Sequence, residues 1–464
     1  MTDLPRGIVS LATGRRLALA AALVSLVAAW PACAPTPAPR KPNILLISVD
    51  TLRADHLSSY GYERETSPFI DSLAAEGIRF DHAYATSSWT TPSVVSMLTS
   101  TYQNRHGMGA RLRGVPVRWA RIPDDLPSLA ESLQRDGYRT YGLAANTNLA
   151  QDRGFDRGFD RYECLGTADL DEVDGALTPY LDLLEGTQEP WFFWLHMLDP
   201  HGPYNARVPW IESFEPHYRR YPRLDGMASE LFAQQAEQLS EQQVNVVRAL
   251  YDSEIRDTDE FLRRLFGRLP GARDALVLFT SDHGEEFLEH GGTLHGRTLF
   301  DESIRIPFIV RLPGRRLAGT VVDRAVSLVD VLPTILGAAD VPPEPGAVGI
   351  NLIGDDGIAV PEGRVVVAEL LRGLPERATM DGRWKFIANG GQKAQTQLFD
   401  LTRDPRERFD IASRKGADQH VERFRQLLAA FEQVHTAPAG PLEQTEITPA
   451  QLEALRALGY VGSD

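Results

Sequence analysis

Three runs of strand length, almost wholly apolar, each end in residues that can hold a cation or an anion, and this constrains the fold more than any other feature. Asn43-Ile-Leu-Leu-Ile-Ser-Val49 runs into Asp50, Trp191-Phe-Phe-Trp-Leu195 into His196, and Ala275-Leu-Val-Leu-Phe279 into Thr280-Ser281-Asp282-His283. Strands without hydrophobic alternation are buried on both faces, as in a parallel sheet covered by helices. Leu126 to Arg135 and Glu241 to Leu265 supply such covers; in the second, Val244, Val247, Leu250, Ile255, Phe261 and Leu265 keep roughly helical spacing. The expected class is α/β, a doubly wound, mainly parallel sheet. Ligands of such sheets bind at the carboxyl ends of the strands. Asp50, the segment from His196 to His201, and Asp282-His283 are therefore expected to meet in one cleft.

Other segments divide around this domain, expected over 42–340. Arg15-Arg16 precedes an apolar run from Leu17 to Ala29, which has the pattern of an export signal over 1–33 and is too short to span a bilayer. Ala32-Cys33 resembles a bacterial lipoprotein processing site, so the expected location is exported, either periplasmic or membrane-tethered through a lipid on Cys33. Residues 34–41, with Pro35, Pro37 and Pro39, read as an extended spacer. Pro342-Pro343 and Pro345-Gly346 mark a break. Strand-like runs at Val365-Val366-Val367 and Trp384 to Ile387 then predict a smaller C-terminal antiparallel subdomain over 341–435. Asp418 to Val434 reads as a helix. The tail over 436–464 reads as a loop from Thr436 to Pro441 and an amphipathic helix from Thr448 to Tyr460.

Composition narrows the functional classes. Lys and Arg number 48 against 63 Asp and Glu, a formal charge of −15, so nucleic acid is not an expected partner. Two cysteines, Cys33 and Cys164, are too few for a disulfide framework or a four-cysteine zinc site. Asp282-His283-Gly284 offers a hard oxygen and an imidazole to one cation, although a loop-capping aspartate beside an exposed histidine has the same sequence. In Ser88-Trp-Thr90-Thr91-Pro92-Ser93, Pro92 suits the first turn of a helix and Thr91 its cap. Hydroxyls there lie where free amides favour anions, and one of them can serve as a nucleophile.

Taken together, these segments resemble the sulfatase family of the alkaline phosphatase superfamily. Asn43 to Asp50, the Thr90 to Ser93 helix start and Tyr102-Gln-Asn-Arg105-His106-Gly107 come first. His196-Met-Leu-Asp199-Pro-His201-Gly-Pro-Tyr204 and Thr280 to Glu285 follow, then His295-Gly296 with Asp301-Glu302, and Leu398-Phe-Asp-Leu with Asp404-Pro-Arg-Glu407. The resemblance implies an alkaline-phosphatase-like α/β domain with a C-terminal antiparallel subdomain, acting as a hydrolase of small or glycan- or lipid-linked anionic esters. It places one divalent metal, calcium, magnesium or manganese, on Asp50, Thr90, Asp282 and His283. Thr90 falls at the nucleophile position, His201 against the anionic ester and His295 near the leaving oxygen. His196, Asp199 and Arg105 are expected on the substrate side; His196 and Asp199 could instead support the site or hold a second metal, which would favour zinc.

The chain departs from that pattern around the nucleophile. Thr90 stands where the family has cysteine or serine, so no formylglycine is expected. Val94 replaces an arginine, Thr51 replaces an aspartate, and after Gly137-Tyr-Arg-Thr140 the chain reads Gly142-Leu-Ala-Ala-Asn146 in place of a Lys-Trp-His segment. Threonine is the nucleophile of phosphoryl-transferring relatives, so the expected substrates are phosphate diesters or phosphonate monoesters. The alternatives are a sulfatase acting without formylglycine, a membrane-tethered phosphotransferase, and an inactive anion- or glycan-binding lipoprotein.

Overall fold

The first apolar run forms a strand, β1 (Ile44–Val49), whose six residues are all buried. Seven more strands join it: β2 (Ile78–Phe80), β3 (Arg139–Ala144), β4 (Arg161–Cys164), β5 (Trp191–Met197), β6 (Leu276–Ser281), β7 (Phe308–Arg311) and β8 (Thr320–Val322). Their order across the sheet is β8-β2-β7-β6-β1-β5-β3-β4. All neighbouring pairs are parallel except the two made by β7, which runs antiparallel to β6 and to β2. The computed structural model describes residues 41–109, 118–372, 375–390, 395–435 and 442–458. The expected export signal, spacer and lipid-bearing Cys33, and the loop from Thr436 to Pro441, lie outside the described residues apart from Lys41.

Register explains why the strand ends converge. Val49 of β1 is paired with Met197 of β5 on one side and with Ser281 of β6 on the other. The next residue of each strand leaves the sheet at the same edge, which brings Asp50 beside Asp282. Apolar packing holds these central strands: β5 and β6 are buried along their whole length, and Trp194 lies against Phe159 and Tyr162 at 6.1 and 6.0 Å between ring centroids. Each fully buried large side chain of this kind contributes about 1.5–3 kcal/mol.

Helices cover the sheet as its strands require. They include α1 (Pro68–Glu76), α2 (Thr90–Thr99), α3 (Leu129–Arg135), α4 (Leu170–Gly186), α5 (Glu241–Arg268) and α6 (Val331–Ala338). The capping box of Ser240 and Gln243 starts α5, and the six apolar residues expected on its inner face are all buried. It runs past the expected Leu265 to Arg268. Helix α3 begins at Leu129, three residues later than expected, because Pro127 disfavours helical backbone at Leu126 and Ser128 supplies the cap by accepting from the Glu131 amide.

The four-stranded antiparallel sheet of the C-terminal part runs β9 (Val366–Leu370), β10 (Glu376–Met380), β11 (Trp384–Asn389) and β12 (Thr396–Asp400) in sequence order. Helix α7 (Asp418–Val434) packs Val421, Phe424 and Leu428 against Phe386 and Leu398. Buried Lys385 ties this sheet to the large domain, with Nζ 2.7 Å from Asp301 Oδ1 and 2.8 Å from Glu407 Oε1. A last helix, Pro449–Ala457, is capped by Thr448 and shorter than expected.

Candidate active site

The edge where β1, β5 and β6 end carries Asp50, Asp282 and His283, all fully buried. Asp282 Oδ1 accepts from the amides of His283 at 2.9 Å and Thr51 at 3.3 Å, which aims its other oxygen away from the backbone. Asp50 Oδ2 accepts from Asn146 Nδ2 at 2.5 Å. No hydrogen bond reaches Asp50 Oδ1 or Asp282 Oδ2, and each lies 3.4 Å from His283 Nε2. His283 Nδ1 donates to Gly284 O at 2.9 Å, which leaves the Nε2 lone pair facing the carboxylates. Gly284 is required there, because a Cβ would fall 2.0 Å from Glu302 O.

Three donor atoms within 4.8 Å of one another, two of them carboxylate oxygens without a partner, fit a divalent cation. Protonation agrees with that fit. Burial and the nearby charge of Asp50 push the Asp282 carboxyl well above its ordinary value. Burial opposes ionisation of Asp50 too, but the hydrogen bond from His196 and the fields of His201 and His283 hold it below the usual carboxylate range. Burial, together with the neighbouring His295, lowers His283 to about 3, so the imidazole is neutral and its lone pair available. Thr51, just after Asp50, sits at φ 54, a costly conformation for a β-branched residue. Its carbonyl accepts from Tyr251 OH at 2.7 Å, which helps to hold the turn.

Thr90 reaches this cluster from the first turn of α2. Its Oγ1 lies 3.3 Å from His283 Nε2 and 3.5 Å from Asp50 Oδ2. The expected cap at Thr91 is corrected: Trp89 is the cap residue, without a side-chain cap bond, and Thr90 and Thr91 are already helical. The Thr91 hydroxyl is instead occupied by Arg153, whose Nη1 donates to it at 3.1 Å, and Pro92 follows as the third helical residue.

Of the other expected residues, His295 and His201 lie beside the cluster. The His295 ring centroid is 4.6 Å from that of His283 and 4.9 Å from that of His201. His196 supports Asp50 from the side: Nε2 is 3.4 Å from Asp50 Oδ2, and Nδ1 is 2.8 Å from Ser48 Oγ, which accepts from Trp194 Nε1. Asp199 is not brought into the metal-type cluster; both its oxygens lie 3.4 Å from Arg207 Nη2, and burial raises it to about 6. Arg105 is not brought there either, because its Nη2 pairs with the exposed Asp125 at 2.6 Å.

Four residues were missed. Asn146 follows β3 and occupies Asp50; a polar residue just past a parallel strand was the signal that could have found it. Glu285, pushed up to about 7 by burial, takes His295 Nδ1 at 3.0 Å on Oε1 and the Tyr204 hydroxyl at 2.9 Å on Oε2. Arg153 donates from Nη1 to the Thr91 hydroxyl. Arg372, from the segment after β9, lies over the Trp89 ring at 5.1 Å, and nothing in its sequence neighbourhood signals that.

Comparison with known proteins identifies the family. The sulfatase family pattern matches residues 42–341. An uncharacterized sulfatase of Escherichia coli, YidJ, is 25% identical over 427 residues, covering 80% of this chain and 83% of that protein. Arylsulfatase K of Rattus norvegicus is 23% identical over 460 residues, covering 84% and 80%. The structure of a phosphonate monoester hydrolase of Agrobacterium radiobacter superposes with a TM-score of 0.70 at 22% identity, covering 85% of this chain and 96% of that one.

Proposed function

The chain belongs to the sulfatase family and is an ester hydrolase, and on that premise we propose that it cleaves phosphate diesters or phosphonate monoesters with Thr90 as nucleophile. One observation carries the reading: the hydroxyl beside the Asp50, Asp282 and His283 cluster belongs to threonine, which cannot become the formylglycine aldehyde. The absence of the family's arginine at Val94 and of its lysine near Asn146 supports a singly charged ester, which needs less neutralisation than a dianion. That a structural neighbour is a phosphonate monoester hydrolase supports the reading.

Asp50, Asp282 and His283 would hold one divalent cation, with Thr90 beside it. When bound, that cation supplies Lewis-acid charge to the nucleophile and to the ester oxygens. Thr90 Oγ1 forms the new bond to phosphorus as the bond to the departing oxygen breaks, and the proton Thr90 gives up ends on that oxygen, which leaves as the alcohol. The α2 amides and His201 receive the ester oxygens. His295, held by Glu285 and kept neutral by burial and the nearby His201, would hydrogen-bond the departing oxygen. Water then cleaves the phosphothreonine and restores the hydroxyl. Export, with a lipid on Cys33, belongs to the same proposal and would place this chemistry outside the cytoplasm.

The test is turnover of matched aryl sulfate, phosphate monoester, phosphate diester and phosphonate monoester by metal-loaded protein, beside Thr90→Ala. Dominant diester or phosphonate turnover, lost in the variant, is expected. Exclusive cleavage of the sulfate, or an equally active variant, would overturn the reading.

A further inference from the structure

A buried positive charge near the nucleophile has no carboxylate in ion-pair contact among the described residues, the adjacent Asp152 acting on it only through its field. Arg153 is 3% exposed and lies on the turn after β3. Its Nη1 donates to Thr91 Oγ1 at 3.1 Å and to Asn148 O, and its Nε to Ala120 O at 3.4 Å. The ring faces of Trp119 and Phe155 lie 5.0 and 5.8 Å from the guanidinium carbon. Every one of these neighbours is neutral, and among the described residues no carboxylate makes an ion pair with it. Burial lowers the guanidinium to about 10, with Asp152 and Cys164 opposing, so it stays charged at neutral pH.

Buried charges are ordinarily paired, because desolvation is costly and a neutral surrounding recovers little of it. An unpaired one next to a reacting group indicates that its counter-charge arrives with the substrate or grows in the transition state. Two details point the same way. Thr91, which takes the guanidinium, directly follows Thr90. Asn148, whose carbonyl also takes it, keeps a buried Nδ2 donor with no hydrogen-bond partner. Val94, at the position of the family's arginine, is fully buried in α2.

We infer that Arg153 is a positioning residue for the transferred group. Acting through Thr91 and the first turn of α2, it favours negative charge on Thr90 Oγ1 and on the non-bridging oxygens, and its single charge sets the preference for singly charged esters. This rests on the Thr90 reading above. The charge is general and long-ranged, so its loss should act on reaction and anion binding together, by about tenfold or more.

The experiment compares Arg153→Met, Arg153→Lys and Thr91→Val in the full chain, metal-loaded, with Thr90→Ala alongside. The readouts are diester kcat/KM, inhibition by orthovanadate, metal content and thermal unfolding. Arg153→Met is expected to lose about tenfold or more in kcat/KM and to weaken vanadate inhibition in similar proportion, at unchanged metal content; Arg153→Lys is expected to restore most of both. Unchanged vanadate inhibition and kcat/KM in folded Arg153→Met would overturn the inference. If Arg153→Met does not fold, Thr91→Val removes the contact alone: a parallel, smaller loss supports the inference, and unchanged vanadate inhibition overturns it. Turnover persisting in Thr90→Ala sinks the nucleophile reading itself, whereas an inactive Thr90→Ala with an unaffected Arg153→Met sinks only the role of Arg153.

Discussion

Replacing Asp282 with Asn should abolish the metal response while leaving the metal-free protein at least as stable as the wild type. The carboxylate is fully buried, its Oδ2 has no hydrogen bond, and Asp50 lies beside it. An amide keeps the acceptor that serves the Thr51 and His283 amides and can donate to Asp50 Oδ1, for a gain of about 1 kcal/mol. The wild type behaves oppositely. A cation at 100 times its dissociation constant, bound only to the native state, adds about 2.7 kcal/mol. At about 2.1 cal/mol/K of unfolding entropy per residue, a chain of 464 residues changes by roughly 1 kcal/mol for each kelvin. Calcium, magnesium or manganese added after chelation should therefore raise the wild-type Tm by about 3 °C, and that of Asp282→Asn by nothing measurable. The assay is thermal unfolding followed by circular dichroism across a metal titration, with bound metal quantified. A variant that retains stoichiometric metal and the full rise, or whose metal-free form unfolds well below the wild type, would refute the assignment.

Three further outcomes follow from neighbouring geometry. Lys385→Met strands Asp301 and Glu407 in the junction between the two sheets and should cost about 3–5 kcal/mol, lowering Tm by a similar number of degrees; an unchanged Tm in thermal scans would show the junction to be unimportant. Burial pulls His290 down, but Glu302, 2.5 Å from its Nδ1, raises it to about 9 from an ordinary 6.5. The stability it contributes is fully present below pH 6.5 and disappears as pH rises through about 9, so urea midpoints should fall in that window for the wild type and stay flatter in His290→Gln; parallel losses would contradict this. Asn146→Ala removes the shortest hydrogen bond to Asp50 Oδ2 and should lower metal affinity or turnover by about 10–100-fold, measured by metal titration and steady-state kinetics, and wild-type values would remove Asn146 from the site.

The sheet and the metal-type cluster were legible because one physical rule places both. A parallel strand buried on both faces is written as an apolar run, and its register with equal neighbours delivers the next residue of each to the same edge. Asp50, Asp282 and His283 obey this rule. Asn146 obeys it too, but β3 contains Arg139, Thr140 and Gly142, which dilute the run. What lies on turns followed no such rule. Arg153 sits in a local duplication, Arg153-Gly-Phe-Asp-Arg-Gly-Phe-Asp160, that reads as a structural turn, and only the packing of Trp119 and Thr91 around it shows where its charge goes. Glu285 and Glu286 are adjacent acids, and the chain path decides that the first meets His295 while the second meets Thr298 and Ser303. For Arg105 the motif gives the residue type and not the direction of its side chain, whose Nη2 pairs with Asp125.

In the proposed reaction Thr90 carries the phosphoryl group covalently. The most direct measurement is acid quenching of metal-loaded protein during turnover of a phosphate diester or phosphonate monoester, followed by mass spectrometry of the peptide that contains Thr90. A phosphoryl or phosphonyl adduct on Thr90 that is absent without substrate is the predicted result. Steady turnover with an unmodified Thr90 at every quench time, in a chain whose Thr90→Ala variant is equally active, would contradict the account.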